Sequence, residues 1–162
     1  MTRSVNEVTA LAVKAARGAG APPAQATQFG AAAVVHLCAA RDVQALDAAL
    51  DAVPAGPIME YPLALARIAE AQVECIAEGA FEVDAAALAR SYIEALPCQA
   101  SLTTDHVLHL DLNRPAARRD LPRIELSDEV YARWSALAAK LLVPESDASR
   151  ISGAGAGLTD NY

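Results

Sequence analysis

Four groups of residues have types and spacings that chemistry can use. The closing stretch runs Ser149-Arg150-Ile151-Ser152-Gly153-Ala154-Gly155-Ala156-Gly157-Leu158-Thr159-Asp160, which sets Gly153, Gly155 and Gly157 between a guanidinium and a carboxylate. Successive small residues can turn their backbone N–H groups toward one point and cradle an anion, and Arg150 adds a planar two-pronged donor. Arg150, Gly153, Gly155, Gly157 and Asp160 are therefore the expected ligand-binding residues, with a small anion as the ligand. The plainer account of such a stretch is a flexible end. A dinucleotide or nucleoside triphosphate loop is not expected: too few residues follow for the helix those motifs require, and no G-K-[ST] occurs.

Asp105, His106, His109 and Asp111 form the second group, two imidazoles and two carboxylates within seven positions. They could ligate a metal or form an acid–base pair. Alternation along a strand puts Asp105, His109 and Asp111 on one face and His106 with the leucines on the other, so a solvated strand face is expected and no metal. Cys98 is the third candidate, a nucleophile only if a histidine lowers its pKa; otherwise it is a small buried hydrophobe. The fourth, Arg114, Arg118, Arg119 and Arg123, concentrates positive charge around Pro115 and Pro122. Such a loop suits a carboxylate, a phosphate or an acidic partner surface, against a bland account in which Asp111, Asp120 and Glu125 balance it. His36 sits on the most apolar segment and is expected to be structural, bonded to a carbonyl. No G-x-S-x-G occurs.

The elements that must position these groups are mostly helices. Alanine makes up about a quarter of the 162 residues, favouring helix and close helix packing. Ser4-x-x-Glu7 spells a capping box, and Val5, Val8, Ala12 and Ala15 recur behind it at helical spacing, which predicts a helix from Val5 to Arg17 stopped by Gly18 and Gly20. Pro22 and Pro23 open a second helix to about Ala40, apolar nearly all round and so expected at the centre. Asp42 to Ala52 predicts a third. Pro62 is expected to open a fourth, carrying Leu65, Ile68, Val73 and Ile76 on one face and ending at Gly79. Asp84 would cap a fifth, with Leu88, Tyr92, Ile93 and Leu96 buried and Pro97 as its stop.

The period then changes to two. Cys98 to Leu112 predicts two strands turning near Thr104 and Asp105, with Arg123 to Leu126 as an extended piece that could join them. Ser127 caps a last helix carrying Val130, Trp134, Leu137 and Leu141, terminated by Pro144. The fold class expected is α+β: a mostly helical domain over residues 1–144, of five or six helices and a small antiparallel sheet, with the glycine-rich segment 145–162 docked on it.

Composition removes several functions. A formal charge of −7, only two lysines and 4% aromatic residues do not suit nucleic acid or anionic membranes. The longest apolar run, Gly30 to Cys38, is interrupted by His36 and is too short to span hydrocarbon. The N-terminal residues lack the apolar core of a secretory signal. Cys38, Cys75 and Cys98 are odd in number and never spaced C-x-x-C, which fits reduced thiols and a cytoplasmic location. Extensive apolar and alanine-rich helix faces suggest a homodimer.

The two ends of the chain are similar to a known family. Ser4-Val5-Asn6-Glu7-Val8 with Lys14-Ala15-Ala16-Arg17-Gly18-Ala19-Gly20, and Val143-Pro144 with Ser149-Arg150 and Gly153 to Asn161, resemble a bacterial family classified as domain of unknown function 3726. The likeness covers about a quarter of the chain, and it implies that the closing segment belongs to the domain. It brings no reaction, cofactor or catalytic residue. The expected function is non-catalytic binding of a small anionic metabolite or a partner enzyme, without a cofactor. The alternative is a small-molecule enzyme in which Asp160, His109 or Cys98 transfers a proton or acts as nucleophile.

Overall fold

The computed structural model describes residues 1–81, 86–117 and 120–141. Asp84, Arg118, Arg119, Pro144 and the whole predicted ligand set Arg150, Gly153, Gly155, Gly157 and Asp160 lie outside the described residues. What is described is an α+β domain of six helices, a three-stranded antiparallel sheet and a separate two-stranded ladder.

Local rules account for most helix boundaries. Helix α1 (Val5–Ala19) starts on the expected box: Ser4 Oγ accepts from the Glu7 amide at 3.2 Å, and the Ser4 amide donates to Glu7 Oε2 at 2.7 Å. It ends where Gly20 turns left-handed, at φ 110°. Helix α2 (Pro23–Cys38) begins on Pro23 and is buried from Ala32 to His36. It packs against α1, α4 (Pro57–Glu70) and α5 (Ala86–Glu94), the central place its composition predicts. Helix α3 (Gln44–Asp51) is short. Helix α6 (Asp128–Ala139) starts where Ser127 Oγ accepts from the Val130 amide, and it lies along α1.

Glycine permits two close helix approaches. A Cβ at Gly18 would collide with the Leu137 carbonyl of α6, and a Cβ at Gly30 would collide with Val13 of α1. Gly18 lies inside α1 and so is not the helix stop its type suggested.

Three expectations need correction. The fourth helix opens at Pro57, at whose N-terminus the Gly56 amide donates to Glu60 Oε1; Pro62 sits one turn inside it. It ends at Glu70 and cannot run on to Gly79, because Glu74 and Cys75 take left-handed backbone, at φ 51° and 67°, which a right-handed helix cannot contain. Ile76 to Gly79 therefore belong not to a helix but to strand β2 (Ile76–Ala80). Gly79 has a packing role there, since a Cβ would come within 2.8 Å of Ile68 of α4. Finally, Ile124–Glu125 does not join the main sheet. It forms β5, paired antiparallel with β1 (Thr2–Arg3), Thr2 opposite Glu125 and Arg3 opposite Ile124.

The expected hairpin is present as β3 (Cys98–Leu102) and β4 (Val107–Pro115), with β2 on the other edge in the order β2-β4-β3. Leu108 and Leu110 point into the core, while His109 and Asp111 are only partly buried. Ala77 of β2 lies opposite Leu110 and shares the buried face.

Candidate functional site

Each buried polar group must be paired or exploited. His36 and Ser91 are both fully buried, and His36 Nδ1 lies 2.8 Å from Ser91 Oγ. His36 Nε2 lies 2.9 Å from the Asp42 carbonyl, which can only accept, so Nε2 carries a proton. Burial pushes the imidazole below its ordinary range and keeps it neutral, which leaves Nδ1 as an acceptor. The Ser91 hydroxyl proton is shared between Nδ1 and the Ala87 carbonyl at 3.0 Å. Arg41 Nη1 donates to the same oxygen at 2.8 Å, and Arg41 Nη2 reaches Glu94 Oε1 at 2.7 Å.

A serine beside an imidazole acceptor has the outline of a nucleophile and its base. Here both side chains are fully buried, and Ser91 Oγ is already bonded to His36, Arg41 and the Ala87 carbonyl, which leaves no side open to a substrate among the described residues. The cluster ties α2, α5 and the Arg41–Asp42 turn together. His36 is structural, as its apolar setting indicated. Ser91 and Arg41 went unnoticed in the sequence, although one signal was there: Ser91 falls on the α5 stripe between Leu88 and Tyr92, where a polar residue needs a partner.

The sequence-predicted candidates do not converge. His109 Nδ1 pairs with Glu78 Oε2 at 3.1 Å on the outer face of the sheet, each side chain substantially exposed. Asp111 pairs instead with Arg114 Nε at 3.3 Å. Asp105 and His106 are not strand residues: they form the turn, where His106 adopts φ 58° and donates its amide to the Thr103 carbonyl. The four-residue cluster is thereby split between a turn and a strand face, and among the described residues no three His, Cys, Asp or Glu side chains come together as metal ligands.

Cys98 lies elsewhere, in the wall of an apolar pocket of about 340 Å³. Gln28 and Ala31 of α2, Leu65 and Ala66 of α4, Tyr92 of α5, Leu96 just beyond it, and Leu110 of β4 complete most of that wall. Among the described residues, no charged side chain lines it. Burial pushes the Cys98 thiol up, and no hydrogen bond joins it to a histidine, so it is held as the unreactive thiol. Tyr92 is 2% exposed and its hydroxyl has no hydrogen-bond partner; burial, then the neighbouring Tyr61, hold its ionisation far above the ordinary phenol range. The Tyr92 ring meets Tyr61 edge-on, centroids 5.5 Å apart, and Tyr61 in turn leans on Phe81.

No protein-family model, no curated protein and no solved structure matches this chain. The functional argument therefore rests on the geometry above. None of the described helices is long and apolar enough to cross a membrane.

Proposed function

We propose that this chain is a binding protein without catalysis of its own, and that it takes a compact, uncharged, largely apolar molecule into the pocket between α2, α4, α5 and the sheet. One observation carries this reading: a concavity of about 340 Å³ lined mainly by alanine, leucine and proline, with no charged group among the described residues of its wall. Volumes of this order, apolar and with few polar groups, are typical of small-molecule sites. Burying an anion there would leave its charge unpaired, at a cost of several kcal/mol. A buried hydroxyl without a partner, as at Tyr92, costs roughly 1–3 kcal/mol, which an acceptor on the ligand that reached it would offset.

The expected anion cradle, from Arg150 to Asp160, falls outside the described residues. Membership of the family whose two end segments the chain resembles is likewise part of our proposal, and it brings no ligand with it.

Titration with the neutral fluorophore N-phenyl-1-naphthylamine tests the reading. The wild-type chain should give a saturable fluorescence rise. Ala66→Trp, at an exposed wall position whose enlargement fills the pocket without disturbing the core, should abolish it. The absence of a saturable rise, or an equal rise in Ala66→Trp, would refute the proposal.

A further inference from the structure

A second cavity has the opposite chemistry. Where α2 ends and β5 begins, a cleft of about 460 Å³ is lined by Leu37, Cys38, Arg41, Arg123, Ser127 and Val130, among others. Arg41 and Arg123 come from segments about eighty positions apart in a chain whose net charge is −7, yet they face one space. Glu125 is the acid among the described residues of that wall, and Glu94 pairs with Arg41 behind it.

The two guanidinium groups differ in how far they are committed. Arg123 Nη2 donates to the Thr2 carbonyl at 3.3 Å and forms no ion pair with a described carboxylate. Arg41 is anchored, with one nitrogen on Ser91 and one on Glu94, which uses two of its five N–H donors and fixes its plane. An anchored guanidinium loses little side-chain freedom when it takes a further acceptor. The Ser127 hydroxyl accepts from the Val130 amide as the α6 cap, and its own O–H remains a donor beside the two arginines.

We infer that this cleft binds a small oxyanion, a carboxylate or a phosphate monoester presenting two coplanar oxygens, with Arg123 as the main contact and Arg41 as the second. The recognised chemistry is the oxygen pair that a guanidinium fork matches. This site shares no residue with the apolar pocket and does not depend on that proposal.

The test is a titration of the full ¹⁵N-labelled chain with sodium phosphate and, separately, sodium acetate, each at constant ionic strength because screening weakens exposed contacts. Saturable shifts confined to the amides of Leu37–Arg41 and Arg123–Ser127 are expected with at least one of the two anions. Arg123→Gln should weaken the affinity about tenfold or more, as loss of a charge-assisted contact implies. Arg67→Gln, an exposed arginine on α4, should leave it unchanged and serves as the control for general charge effects. Should Arg123→Gln perturb the fold, as its own amide spectrum would reveal, Arg123→Lys decides: it keeps the charge, loses the fork, and should weaken binding. Unsaturated shifts spread over the surface, no shifts with either anion, or equal affinity in the folded Arg123 variant would overturn the inference.

Discussion

Trp134 Nε1 donates to Asp47 Oδ1 across 2.8 Å, although 87 positions separate the two residues. This bond is the buried tie between α6 and α3, beside a more exposed one from Arg133. Trp134 is fully buried and leans on Phe29, its ring centroid 6.5 Å away, so its N–H has no access to water and needs this acceptor. The same carboxylate oxygen is approached at 3.4 Å by Arg133 Nε, while Arg133 Nη2 binds Asp51 at 2.7 Å.

Asp47→Ala should therefore lower stability by about 1–3 kcal/mol, because it leaves the indole N–H buried and unpaired. Asp47→Asn, which keeps an acceptor, should cost less. Urea unfolding followed by tryptophan fluorescence reads both, and an unchanged midpoint in Asp47→Ala would show the bond to be dispensable.

The buried histidine sets a pH dependence. The folded-state pKa of His36 is depressed, first by burial and secondarily by Arg41, against the raising effect of its bond to the Asp42 carbonyl. Above the ordinary imidazole value of 6.5 both states are neutral and stability is at its full level. As pH falls below 6.5 the unfolded chain takes up a proton that the folded chain refuses, so stability declines, and the decline stops once the folded-state pKa is passed. Urea midpoints measured from pH 7.5 downward should show this slope in the wild type and lose it in His36→Gln. Glu7, whose pKa is lowered by its bonds to Ser4, acts only in a more acid window, below its ordinary 4.5, and is separable on that ground.

Helix contacts at glycine should resist even one added methyl. In Gly18→Ala the new Cβ meets the Leu137 carbonyl, which belongs to helix backbone and cannot rotate aside. A loss of about 1–3 kcal/mol is expected despite the better helix propensity of alanine. Thermal melting that rises instead would mean that α1 and α6 can part at no cost.

Cys38 and Cys98 should react slowly. Burial pushes both thiols up, so less of the nucleophilic thiolate is present at neutral pH. Iodoacetamide labelling at pH 8, read by mass spectrometry, should run slower at both sites in the folded chain than in urea. Equal rates would contradict the wall position assigned to Cys98 in the apolar pocket.

Much of the architecture was legible because it is written locally. The Ser4–Glu7 box, the Pro23 opening of α2, the Ser127 cap and the alternation of Leu108 and Leu110 each act within a few residues, and each element stands where its signal put it. The stretch Leu65 to Gly79 misled because its apolar spacing also fits a helix; left-handed backbone at Glu74 and Cys75, which no side-chain pattern announces, separates α4 from β2. The candidate site was less legible still. Cys98 carries the type of a nucleophile and is pocket wall, while the helical spacing of Tyr92 marks core and gives no sign of the pocket it lines.

Taken by itself, the sequence determined the α+β class, the helix starts and the hairpin, since caps, prolines and hydrophobic period act on neighbouring residues. Only the tertiary structure decided that Ile76–Ala80 pairs with β4, that Ile124–Glu125 pairs with Thr2–Arg3, and that Arg41 and Arg123 share a cleft. Those relationships join residues far apart in the chain, and a pairing, a cavity or a shared charge takes its energy from what finally lies across the gap rather than from what stands next in line.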